Sequence, residues 1–118
     1  MNKLDTLLHQ LRENPKAINF STVIETIDEA YDFTPTGFKN GHTYNEENQN
    51  NGSCKVFAFA QLYDLSATET LNLFGDYYRV DVLEHPEKKD HQNIRNFIKF
   101  GWSGISFEGK ALSEKVIN

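Results

Sequence analysis

The only cysteine of the chain, Cys54, sits in the block Asn51-Gly52-Ser53-Cys54-Lys55-Val56-Phe57-Ala58-Phe59-Ala60. A polar turn here runs into an almost wholly apolar segment, which predicts a helix with Ser53 as its N-cap and the thiol in its first turn. The positive end of a helix dipole stabilises a thiolate, the form of cysteine that acts as a nucleophile. Such a nucleophile needs a base within hydrogen-bond reach and a group that orients the base. His91 is the candidate base, with Asp90 or Asn93 to orient it and His42 as a second option. A plainer reading competes with this one. Free cysteines near helix starts commonly fill space as small apolar groups, and Asp90 as an N-cap would explain the pattern around His91 with no chemistry at all.

A second set of residues could bind rather than react. Arg79 and Trp102 would rim a pocket in which the guanidinium holds a carboxylate or phosphate by two parallel hydrogen bonds. With Tyr77 and Tyr78, their plainer role is core packing plus one surface cation. No phosphate loop, dinucleotide fingerprint or metal-ligand cluster stands in the sequence, so neither a cofactor nor a metal is expected.

These residues need elements to position them. Leu4, Leu7, Leu8 and Leu11 fall on one helical stripe that Pro15 ends. Phe20, Val23, Ile24, Ile27 and Tyr31 repeat it, with Asn19 or a Thr22/Glu25 capping box at the start. The short linker between them predicts an antiparallel pair. Residues 32–53 break the pattern: Phe33 to Phe38 reads as extended, Asn40-Gly41 as a turn, and Tyr44 to Gly52 as an exposed loop. The segment from Cys54 to about Asp64 is apolar all round, the mark of a central buried helix. Ser66-Ala67-Thr68-Glu69 is a capping box for a fourth helix carrying Leu71, Phe74 and Tyr78. Val80 to Lys89 reads as a polar connection. Ile94, Phe97 and Ile98 face a fifth helix, which Gly101 would end with a left-handed backbone. Gly104 to Gly109 alternates like a strand and could pair with the Phe33–Phe38 stretch, while Ala111 to Asn118 is expected to fray. The fold class is therefore mainly α: a compact bundle of about five helices around a central buried helix, with a small two-stranded β element.

The whole chain, 1–118, is expected to be one domain, since 118 residues suit a single modest core. Nine Phe, five Tyr and one Trp make that core aromatic. A net charge of -5 argues against nucleic acid, which needs surplus Lys and Arg to displace counterions. A lone cysteine cannot form an internal disulfide and fits a reducing cytoplasm. Met1 to Asp5 lacks the apolar centre of a signal peptide, and no run is long and apolar enough to span a bilayer, so no membrane role is expected.

Several blocks, taken in order, resemble the HopJ type III effector family. They are Tyr31-Asp32-Phe33-Thr34-Pro35-Thr36 through Phe38-Lys39-Asn40-Gly41, then Gly52-Ser53-Cys54-Lys55-Val56-Phe57-Ala58, then Leu73-Phe74-Gly75 with Tyr78-Arg79. The last runs from Asp90-His91-Gln92-Asn93-Ile94-Arg95 through Gly101-Trp102 to Phe107-Glu108-Gly109. The resemblance implies a bacterial protein and, by the family's name alone, secretion into a host; it implies no particular activity. Locally, Gly52-Ser53-Cys54 with Phe57-Ala58 also resembles the nucleophile segment of papain-like peptidases, with Lys55 where those favour Trp or Tyr. The favoured function is a small soluble binding or interaction domain without catalysis, resident in the bacterial cytoplasm, whose partner is a protein or small molecule. The alternative is a hydrolase or transferase that uses Cys54 with His91.

Overall fold

The structure, a computed structural model, describes residues 2–115. Helix α1 spans Lys3–Glu13 and α2 spans Phe20–Ala30, joined by a 3-10 turn at Pro15–Ala17. Asn2 caps the first and Asn19 the second, its side chain accepting from the Thr22 N–H at 2.9 Å. Lys3 at the start of α1 reaches Glu29 at the end of α2 at 3.0 Å, so the two helices run antiparallel. Leu7, Leu11, Val23 and Ile27 form the buried stripe between them and the rest of the core.

Helix α3, Asn51–Leu62, is the central element the pattern predicts. Val56, Phe57, Phe59 and Ala60 are all fully buried although they point in different directions. Phe57 lies among Phe38, Phe74, Phe97 and Trp102, with ring centroids 5.0–6.4 Å apart. Phe59 packs against Tyr31 and Tyr63. The helix starts earlier than expected. Its N-cap is Asn50, in left-handed conformation at φ 53°, and Ser53 already lies inside the helix. Asn tolerates that backbone better than most residues, which explains the shift.

Helix α4, Ala67–Asn72, begins at the Ser66/Glu69 capping box with both reciprocal hydrogen bonds formed. Gly75 then turns the chain at φ +61°, and a Cβ there would meet the backbone of Phe20, Asn19 and Ile18 at 3.0–3.3 Å. The expected polar connection instead starts as a π-helical turn over Tyr77–Val82. Helix α5 spans Gln92–Phe100. Its N-cap is His91 and not Asp90, because the Asp90 carboxylate is held by the Arg95 guanidinium at 2.7 Å. Gly101 ends α5 at φ +63° and ψ -155°, a positive-φ backbone suited to glycine but not the left-handed helical conformation expected.

The β element is larger than the expected two-stranded one. Strand β2, Phe38–Asn40, and β3, Thr43–Asn45, form a hairpin about Gly41, and β4, Ile105–Phe107, pairs antiparallel with the other edge of β2. The strand-like Gly104–Gly109 segment thus pairs with the Phe38 end of the extended stretch. The Phe33 end belongs to β1, Tyr31–Phe33, whose partner is β5, Leu112–Glu114. The C-terminal segment expected to fray is therefore tied down through Glu114, and Ala111 and Leu112 are buried; residues 116–118 lie outside the described part. The architecture is mainly α with small antiparallel strand pairs, as the sequence predicts.

If Phe57 is the hub of this core, Phe57→Ala should cost about 3–5 kcal/mol in urea unfolding. Ile98→Ala, at a side chain left 47% exposed, should change stability by well under 1 kcal/mol.

Candidate functional site

The residues singled out in the sequence go to separate places. Cys54 is only 1% exposed, with its Sγ 3.9 Å from the Thr36 carbonyl oxygen. Burial pushes its pKa up to about 11; the Thr36 contact and the charge of Lys55 oppose this but do not cancel it. Lys55 itself is paired with Asp28 at 2.9 Å and lies over the Phe33 ring. Arg79 donates to the carbonyls of Pro15, Ile18 and Asn72, so it fastens the α1–α2 linker to the end of α4. The Trp102 indole donates to the Leu65 carbonyl at 2.9 Å and packs on Phe57 and Phe97. The Asp90 carboxyl is held below the usual range by its hydrogen bond from Arg95. His42 packs edge-on against Phe100. Among the described residues no hydrogen bond or ion pair joins any two of Cys54, His91, Asp90, Arg79 and Trp102.

His91 does belong to a site. Its Nε2 is 3.0 Å from Asp81 Oδ2, and its ring lies against Tyr77 with centroids 5.1 Å apart. Both neighbours come from the π-helical turn over Tyr77–Val82, where they stand four residues apart on one side. His91 and Tyr77 border a pocket of about 360 Å³ between the hairpin, the first turns of α3 and α5, and Phe20 of α2, with Asp81 outside its lining. One wall is aromatic: Phe20, Phe74 and Tyr77, with Phe20 stacked on Phe74 and edge-on to Tyr77. The other is polar and includes Thr43, Asn45, Asn50, Ser53, Gln92 and Asn93. No Lys, Arg, Asp or Glu lines it. Both helices open onto it with left-handed N-caps whose side chains make no capping hydrogen bond. Cys54 is not in the lining, whereas its neighbour Ser53 is.

Behind the polar wall is an asparagine network that sequence reasoning missed. Asn93 from α5 gives its Nδ2 to Asn45 Oδ1 at 3.0 Å, and its Oδ1 accepts from Asn40 and Asn45. Asn40 also donates to the Asn93 carbonyl at 2.8 Å, and Asn50 donates to Asn45 Oδ1 at 2.7 Å. Asn96 bonds the Asn40 carbonyl and Thr43 from the side. Asn40, Asn45 and Asn93 are all buried. One sequence signal pointed here: Asn93 shares a helical face with Phe97, four residues on, and a polar residue on an apolar face needs a partner.

The model of the HopJ type III effector protein family matches residues 4–112. The chain belongs to that family. It is also similar to a crystal structure of a protein of unknown function, VPA0580, with 52% identity and a TM-score of 0.94, over 98% of this chain and 95% of that one. No curated protein matches. Among the described residues of this family member, no helix is long and apolar enough to cross a membrane, and no group of three His, Cys, Asp or Glu could hold a metal ion.

Two outcomes follow for the thiol. Native protein at pH 8 should resist iodoacetamide until it unfolds, and His91→Ala should leave that rate unchanged; rapid native alkylation that His91→Ala slows would contradict the packing seen here. The folded thiol also binds its proton more tightly than the unfolded one, whose ordinary value is 9.0. Its stabilising contribution is therefore complete below pH 9 and is lost as pH rises toward about 11. Across that window, stability measured by urea unfolding should fall more steeply in the wild type than in Cys54→Ala.

Proposed function

We propose that this HopJ family member is a small, single-domain binding module without catalysis, and that its ligand occupies the pocket bordered by Ser53, His91 and Tyr77. The pocket itself carries the reading. It joins an aromatic wall to a polar wall backed by the asparagine network, so one concave surface offers both apolar contact and hydrogen bonds. Its volume of about 360 Å³ lies at the lower end of the range of roughly 300–1,000 Å³ for such sites. The alternative, a hydrolase or transferase using Cys54 with His91, needs thiol and imidazole together in a solvent-reached cleft. A buried thiol facing Thr36, and an imidazole paired with Asp81, favour the binding reading. Residence in a bacterial cytoplasm is part of this proposal; delivery to a host enters it only through the family's description.

A fragment library screened by amide NMR tests the assignment. Binders should shift the amides of Asn50 to Ser53 and His91 to Ile94. Ser53→Phe, with its melting temperature checked, should fill the space and abolish those shifts. Fragments that cluster elsewhere, or hydrolytic turnover lost in Cys54→Ala, would sink the proposal.

A further inference from the structure

We infer that the pocket takes a neutral, flat heteroaromatic ring of the nucleobase type, as a free base or nucleoside; this rests on the binding role proposed above and names the ligand class. The aromatic wall supplies the first argument. Tyr77 is still 44% exposed after its contacts with Phe20 and His91, so ring surface is left for a ligand to cover. Flat rings recover that surface by stacking, and nucleobases do so on aromatic side chains whatever their identity.

The polar wall supplies the second. Among the described residues, Asn50 uses one amide hydrogen on Asn45 and leaves its Oδ1 without a partner. The Thr43 oxygen accepts from Asn96 and its hydrogen is unspent. Among the described residues, Gln92 donates to the Lys89 carbonyl with its Oε1 unused, and the Ser53 hydroxyl has no partner. Amides and hydroxyls both donate and accept, so together they match a ring edge that alternates N–H with carbonyl or ring nitrogen.

Charge supplies the third. With no Lys, Arg, Asp or Glu in the lining, no side chain of fixed charge offsets the desolvation of an ionic ligand. The net charge of -5 disfavours a polyphosphate chain further. Hydrogen bonding and stacking are what the walls can offer, and a neutral ring uses both.

The test is an amide NMR titration of the full chain with four probes: uridine, adenosine, benzyl alcohol and inorganic phosphate. At least one nucleoside should shift the Asn50–Ser53 and His91–Ile94 amides saturably. Benzyl alcohol, which has a ring without the polar edge, and phosphate, which has charge without a ring, should bind there at least tenfold more weakly. Tyr77→Ala should weaken the nucleoside at least tenfold. Gln92→Leu, at an exposed position, should weaken it severalfold with an unchanged melting temperature. Phosphate binding as tightly as the nucleosides, or benzyl alcohol doing so, overturns the ligand class while the pocket keeps its binding role. Neither nucleoside shifting those amides, while library fragments do, also overturns the class alone. Fragments and nucleosides all failing there overturns the binding role with it.

Discussion

A helix that is apolar on every side cannot give any face to water, so the rest of the chain must enclose it. Helix α3 imposes that demand through Val56 to Ala60, all of them buried. The elements around it are mostly too short to persist alone. The strands are three residues each and α4 has six, well below what isolated helices or hairpins need in water. They exist because a large side chain from or beside each reaches the surface of α3: Phe38 from β2, Phe74 just past the end of α4, Phe97 from α5, and Trp102 just beyond it. Association with the central helix offsets the entropy of ordering them.

Enclosing a helix with three-residue strands brings backbone and side-chain polar groups inside, and the asparagine network is how they are satisfied. Asn40, Asn45 and Asn93 bond one another across β2, β3 and α5, and Asn50 extends the chain of bonds to the start of α3. A neutral hydrogen bond adds only about 1 kcal/mol net, whereas stranding a buried partner costs roughly 1–3 kcal/mol. The network therefore matters more for what its loss would expose than for its net gain. It is close to complete: Asn40 Oδ1 is its buried acceptor without a donor. Its further effect is to fix the polar wall of the pocket to the core.

How much of this was legible follows from the range of the interactions. Helical stripes repeat every three or four residues, so α1, α2, the central α3 and the Ser66 capping box could be read locally. The strand partners could not. Three residues show no alternation, and the pairing of Tyr31–Phe33 with Leu112–Glu114 joins segments separated by most of the chain. The Asn-rich stretch after Tyr44 read as solvated loop because Asn favours turns; that Asn45 is buried depends on Asn93, 48 residues away. The site suffered most. Its walls come from α2, the hairpin, the segment from Phe74 to Tyr77 and two helix starts, so His91, Asn93 and Tyr77 stood out among its residues, each for a different role.

The fate of Cys54 shows how three residues of helix register decide chemistry. A helix N-terminus favours negative charge by about 0.3–1 kcal/mol. The burial that closes the core opposes it: moving the thiol from 9.0 to about 11 corresponds to roughly 3 kcal/mol at 1.4 kcal/mol per unit. Desolvation wins. Had Ser53 been the cap, Cys54 would be the first residue of the helix, among its unbonded N–H groups. With Asn50 as the cap, the Cys54 N–H is already bonded to the Asn50 carbonyl at 3.0 Å, and the open donors belong to the residues before it, at the rim of the pocket. The early start moves the polar end of α3 away from the thiol and toward the cavity that His91 and Tyr77 share, so the same sequence block that suggested a nucleophile builds a wall of a binding site.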